Sequence, residues 1–252
     1  MNRLTFIESD QNLRFKRWKK CLKGQVRKTG VTLVSGEKVT LELAQNPRWN
    51  STWLVPEGWE IPLPGSQDRT VFMLSKELFS EVDSFGTGHP LLEVEIPEAL
   101  PDSLPLDSGM ALVVPFQDPR NVGAVIRTAV GMGIPLIYIS ESGAYPFHPL
   151  AVRASAGAVF QARLSRLPSF QVLSDRGIPL VVLEAEGTPA GEFAFPDKCA
   201  LLPGIEGPGI PEEALNFPLL RVSLPMANIE SYNATVATAL ALYEWRTRRD
   251  RI

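Results

Sequence analysis

Two polar side chains, Asn121 and Arg127, stand in an otherwise apolar helical stretch, DPRNVGAVIRTA, residues 118–129. Asp118-Pro119 breaks the preceding strand, Asn121 is placed to cap a helix, Gly123 allows close backbone approach, and Val122, Val125, Ile126 and Ala129 supply buried faces. A guanidinium taken into such a helix needs an anion, because burying it unpaired is costly. That anion is either a carboxylate of the same fold, which the stretch by itself favours, or the charge of a ligand.

Two later stretches carry similar groups. In ALLPGIEGPGIPEE, residues 200–213, three glycines surround Glu206 directly after an apolar run, which suits a pocket lined by backbone. The loop has no Lys after its glycines and matches neither the phosphate-loop pattern nor GxGxxG. A tight turn leading into a helix at Pro211 accounts for the glycines equally well. In LPMANIESYNATVATALALYEWRTRR, residues 224–249, Ser231 is placed as an N-cap for a small-residue helix, and Asn233 falls in its first turn.

Other chemistries find little support. His89 and His148 lack partners at catalytic or metal-ligand spacing, and Cys21 and Cys199 are far apart with no second ligand nearby, so no zinc site or disulfide framework is indicated. No metal is expected, and both thiols are expected to be reduced.

The elements that must position these groups form an α/β pattern. A basic helix, VTLVSG as a strand, EKVTLELAQ as a helix, STWLV and TVFML as strands, SKELFSEV as a helix and LLEVEIP as a strand make a small first domain. PEALPDSLPLDSG reads as a linker, so the expected domains are residues 1–104 and 105–252. In the second, ALVVPF, LIYIS, LVVLEAE, CALLPG and LLRVSLP are short apolar strands, as in a parallel sheet covered on both faces. In such sheets a ligand sits beyond the carboxyl ends of the strands, where the Asn, Gly and Glu residues above are found.

The net charge of −3 conceals an asymmetry: residues 14–28 hold eight Lys or Arg and no acid. Arg14, Lys16, Arg17, Lys19, Lys20, Lys23, Arg27 and Lys28 could track the phosphates of a nucleic acid, with Trp18 and Phe15 stacking or serving as core; a solvated helix face is the plain alternative. No apolar run approaches the roughly 20 residues of a membrane span, and the first residues mix acids and bases where an export signal needs an apolar stretch, so a cytoplasmic protein is expected.

In order and spacing, N-x-G-x-x-x-R-T-A, L-x-G-x-E-G-x-G-I, and P-M followed by E-S-x-N and a small-residue helix resemble the three signature motifs of the SpoU/TrmH-type RNA methyltransferases of the SPOUT superfamily. The resemblance covers residues 110–246, with VRASAGAV similar to a segment between the first and second motifs; the first half is more loosely similar to an L30e-like RNA-binding domain. The resemblance implies a deep trefoil knot in the C-terminal domain and a homodimer with shared active sites. It implies S-adenosylmethionine as cofactor and methyl transfer to a ribose 2′-hydroxyl of ribosomal or transfer RNA. By the same similarity Arg127, Asn121, Glu206, Ser231 and Asn233 are catalytic, while Gly204, Leu224, Tyr232, Leu202, Ile205 and Met226 bind the cofactor. The third motif is about one residue shorter than is usual and lacks the usual glycine, Tyr232 replaces a common leucine, and Ile205 a frequent polar residue. A non-catalytic RNA-binding protein with this fold is the rival reading; a nucleotide-binding metabolic enzyme is disfavoured by the missing phosphate loop.

Overall fold

The computed structural model describes residues 3–60, 63, 70–205 and 209–249. The chain divides into two compact units, residues 1–99 with 147–156, and residues 100–146 with 157–252.

The first unit contains β1 (Arg3–Ile7), α1 (Leu13–Leu22), α2 (Val26–Thr29), β2 (Val31–Val34), α3 (Glu37–Gln45), β3 (Ser51–Pro56), β4 (Thr70–Leu74), α4 (Lys76–Val82) and β5 (Leu91–Glu95). Its sheet runs β1-β4-β3-β5-β2; β1, β4 and β3 are parallel, and β5 is antiparallel to both neighbours. Helix α1 starts where Asn12 Oδ1 accepts the Arg14 and Phe15 N–H groups at 2.8 and 3.4 Å. Phe15, Trp18 and Cys21 recur at helical spacing and are buried, while the basic residues occupy the outer face. Trp18 meets Phe72 edge-on at 5.7 Å and donates its indole N–H to the buried Glu93 carboxylate. Both aromatic residues of the basic stretch are therefore core, and the stacking alternative falls away.

Cys21 and Cys199 are buried free thiols, and desolvation pushes each up to about 12. With an unfolded value of about 8.5, both states are protonated at neutral pH and the thiols leave stability unchanged there. Above pH 8.5 the unfolded state ionises first, so stability falls by up to about 1.4 kcal/mol per pH unit per thiol until the folded value is reached. Denaturant midpoints measured from pH 8 to 10.5 should fall less steeply in Cys21→Ala than in the unaltered protein.

The second unit begins with β6 (Gly109–Val114), α5 (Pro119–Gly131) and β7 (Leu136–Ser140). The chain then returns to the first unit as α6 (Pro149–Ala154), which packs on β2. Arg153 holds it there, with its guanidinium 5.4 Å over the Phe85 ring and an N–H donated to Ser35 O at 3.4 Å, while Phe147 packs against Trp49 at 5.9 Å. The second unit resumes with β8 (Leu164–Leu167), α7 (Gln171–Asp175), β9 (Leu180–Pro189), β10 (Lys198–Leu202), β11 (Leu219–Ser223) and α8 (Ala234–Arg249). All six strands are parallel, in the order β11-β9-β10-β6-β7-β8. Every residue of the central β6 is buried, as a strand covered on both faces requires.

The expected linker is docked rather than free. Arg166 N–H donates to Pro101 O and Ser103 N–H to Arg166 O, both at 2.9 Å, and Leu106 is buried. These bonds satisfy the edge of β8, which would otherwise expose unpaired backbone groups. The division thus falls at Ala99 and Leu100 instead of near residue 105, and one segment of the second half belongs with the first. Strands β1 and β8 were not anticipated: RLTFI sits within a polar N-terminus, and LSRL is short and half polar.

Candidate active site

The carboxyl ends of β10 and β11, residues 183–185 within β9 and the first turn of α8 enclose a cleft of about 480 Å³. This is where the topology of an open parallel sheet puts a ligand.

One wall is the glycine loop after β10. Ile205 N–H donates to Gly209 O at 2.6 Å and Gly209 N–H returns to Ile205 O at 2.9 Å, closing the loop at its neck. Gly209 has φ +76°, a conformation only glycine adopts without strain. Glu206, between them, lies outside the described residues.

The opposite wall is the segment between β11 and α8. Tyr232 donates its hydroxyl to Pro225 O at 2.9 Å, tying the segment's two ends together. Asn228 has φ 63°, so an asparagine supplies the left-handed turn for which glycine is usual, as its short polar side chain permits. The cap of α8 is Asn233, whose Oδ1 accepts from Thr235 and Val236 N–H groups at 3.0 and 3.4 Å. Ser231, the expected cap, lies two residues too early; it is exposed and lines the cleft.

The cleft therefore gathers Gly204, Ile205, Leu224, Met226, Ser231, Tyr232 and Asn233 from two separate motifs. Leu202 is not among its lining residues: it is fully buried and packs in the sheet core with Ala111, Val182 and Ala200. Asn121 and Arg127 also stand outside the lining, on α5, a helix that packs against α8. Asp118 caps α5, accepting from Arg120 N–H at 2.8 Å, and Pro119 opens it, so Asn121 is a half-buried residue of the first turn and not the cap. Arg127 is exposed, and among the described residues no carboxylate forms an ion pair with it. Among the described residues the internal salt bridge favoured for the isolated stretch is not formed, and the guanidinium is exposed to a ligand's charge. At about 100° per residue the two side chains emerge about 120° apart around the axis, on adjacent flanks of α5.

The basic residues lie in the first unit with differing freedom. Arg14 sits 4.7 Å over the Phe72 ring and 3.6 Å from Glu93, Arg17 donates to Thr29 O at 2.7 Å, and Lys19 pairs with Glu81 at 3.0 Å. Lys16 donates to Gln11 at 2.5 Å, and Lys20, Lys23, Arg27 and Lys28 are exposed. His148 caps α6, its Nδ1 accepting from Leu150 N–H at 3.2 Å. Among the described residues no three metal-ligating side chains cluster, and no helix is long and apolar enough to cross a membrane.

Residues 110–243 match the model of the SpoU rRNA Methylase family. The chain belongs to the SpoU rRNA methylase family. This SpoU chain is 37% identical over 95% of its length to "Ribosomal RNA small subunit methyltransferase G 2" of Syntrophobacter fumaroxidans, of which it spans only 48%. It is 30% identical, over 95% of its own length and 98% of the other's, to the 23S rRNA (guanosine(2553)-2′-O)-methyltransferase of Bacillus subtilis. Among solved structures, AviRb, the SpoU methyltransferase of Streptomyces viridochromogenes in complex with AdoMet, superposes with TM-score 0.80 at 26% identity, covering 95% of this chain and 99% of that one.

Sequence reasoning missed part of the SpoU cleft. Gly209, Leu183, Glu184, Ala185, Val222, Glu230, Ala234 and Ala237 also line it. The signals were a third glycine in the loop and the acidic LEAEG that ends an apolar strand.

Proposed function

We propose that this SpoU protein transfers a methyl group from S-adenosylmethionine to a ribose 2′-hydroxyl of ribosomal RNA. The observation that carries the reading is the single cleft in which the loop after β10 faces the segment after β11. Its volume of about 480 Å³ lies within the usual range for small-molecule sites. Leu183, Ile205, Val222 and Met226 give it apolar walls suited to an adenine ring, and in this reading the backbone of Gly204 and Leu224, which also line it, hydrogen-bonds to that ring.

When bound, S-adenosylmethionine supplies an activated methyl group on a sulfonium leaving group. The protein's task is to bring the ribose oxygen into line and to hold the charge it develops as its proton departs. Arg127, exposed and without a carboxylate partner among the described residues, stabilises that alkoxide beside an RNA phosphate, which takes the proton. A guanidinium stays protonated at all working pH values, so it acts by charge and by its fork of donors. Asn121, Glu206, Ser231 and Asn233 orient the nucleotide and the arginine by hydrogen bonds. The exposed basic residues of the first unit, with Lys20, Lys23 and Lys28 foremost, grip the RNA backbone as an L30e-like substrate-binding domain.

Homodimerisation belongs to the same reading. Val236, Leu240 and Tyr243 recur at helical spacing on α8 and are 47%, 38% and 54% exposed, an apolar stripe that a second copy would cover. A trefoil knot around the cleft and a cytoplasmic location complete the proposal.

Calorimetry with S-adenosylmethionine, followed by mapping of ribose methylation on ribosomal RNA with and without the protein, tests it. Absence of cofactor binding at millimolar concentration would leave the rival, an RNA-binding protein without catalysis. The Tyr232 hydroxyl is partly exposed, and its bond to Pro225 is worth about 1 kcal/mol. Tyr232→Phe is therefore expected to weaken cofactor binding about fivefold by calorimetry, with turnover at saturating cofactor unchanged.

A further inference from the structure

Strand β9 does not run straight past the cleft. Val182 pairs with Arg221 and Thr188 pairs with Val222, so β9 carries five extra residues, Leu183–Gly187, where β11 advances by one step. Such irregularities re-aim side chains, and here Leu183, Glu184 and Ala185 turn into the cleft lining beside Gly204, Leu224 and Tyr232. The neck is built to one shape. Gly187 lies so close to β11 that a Cβ there would sit 2.5 Å from Val222 N and 2.6 Å from Arg221 C, and Ser223 donates its hydroxyl to Gly187 O at 2.9 Å.

Within this excursion Arg221 Nε donates to Glu184 Oε2 at 2.5 Å. Both side chains are partly exposed, at 48% and 40%, so the pair adds little to stability. Its effect is orientation: the carboxylate is held by one oxygen, and Oε1 receives no hydrogen bond from a described residue. A carboxylate fixed this way between the apolar Leu183 and Ala185, in a cleft that Glu230, Ser231 and Asn233 also line, favours a ligand that offers hydroxyl or ammonium donors.

We propose that Glu184 is a cofactor-binding residue, whose carboxylate accepts hydrogen bonds from S-adenosylmethionine through either the ribose diol or the α-ammonium, and that Arg221 is the positioning residue that aims it. The proposal rests on the reading of the cleft as the cofactor site. Calorimetry on the full chain, with S-adenosylmethionine and with 5′-methylthioadenosine, tests it in the unaltered protein, Glu184→Gln and Arg221→Met. Both substitutions should weaken S-adenosylmethionine binding about tenfold or more and raise its KM equally, while kcat at saturating cofactor and the thermal midpoint stay put. A penalty that persists with 5′-methylthioadenosine assigns the ribose diol, because that compound lacks the amino acid; a penalty confined to S-adenosylmethionine assigns the ammonium. Affinities within twofold of the unaltered protein for both compounds overturn the role of Glu184. No binding of either compound to the unaltered protein overturns the cofactor reading of the cleft itself.

Discussion

Arg127→Ala is expected to lower the rate of ribose methylation by about 10²–10³-fold while S-adenosylmethionine binds with nearly unchanged affinity. The loss follows from removing a fixed charge at the oxygen where negative charge develops, the step at which preorganised donors matter most. Cofactor affinity is spared because Arg127 is on α5 and is not among the residues lining the cleft. Folding should also be spared, since the side chain is exposed and no ion pair with a described residue is lost. Arg127→Lys separates charge from geometry: a lysine keeps the charge but loses the planar fork, so partial activity assigns the remainder to bidentate contact. Single-turnover methylation of ribosomal RNA, with calorimetric cofactor titration alongside, is the measurement. Full activity in Arg127→Ala would remove this residue from the reaction.

Gly187→Ala is the substitution with the largest expected structural cost. A single methyl group would sit 2.5 Å from Val222 N, 2.6 Å from Arg221 C and 2.7 Å from Val222 C, all backbone atoms that cannot swing aside. The two strands must separate locally, at a cost of about 3 kcal/mol, the upper part of the range for forcing extra atoms into a packed site. For a unit of this size that corresponds to a thermal midpoint lower by roughly 6–12 °C. Cofactor affinity should fall with it, because the residues between Val182 and Thr188 hang from this neck and form one side of the cleft. A melting temperature within a degree or two of the unaltered protein would show that the strands open there without cost.

Much of the architecture was legible in composition and period. The runs ALVVPF, LIYIS and CALLPG are nearly all apolar because parallel strands are covered on both faces, and each supplied most of a strand of the second sheet, Gly109–Val114, Leu136–Ser140 and Lys198–Leu202. EKVTLELAQ kept its helical period and became α3 over the same residues. Where local chemistry was weak, the reading failed. LSRL forms β8 only because a neighbouring strand and the docked residues 101–103 supply partners, which no local propensity encodes. The caps of α5 and α8 were misjudged for a related reason: several capping residues stand close together in each stretch, and the choice of Asp118 over Asn121 and of Asn233 over Ser231 depends on where the chain leaves the preceding element.

Resemblance to a known family joined three spaced motifs, and the sequence by itself determined that the chain alternates strands and helices and that polar and glycine residues gather in its strand-end loops. Those are properties of side-chain type and order, which short-range periodicity and spacing express directly. Only the tertiary structure decided that Arg127 is exposed without a carboxylate partner among the described residues, that Leu202 is spent in the core, and that Glu184 faces the cleft. Each of these depends on which surfaces meet across segments tens of residues apart. A sheet order of β11-β9-β10-β6-β7-β8 and a five-residue irregularity in one strand set those meetings; LEAEG marks the place of the second, but the amino-acid order alone says nothing of which strands it meets.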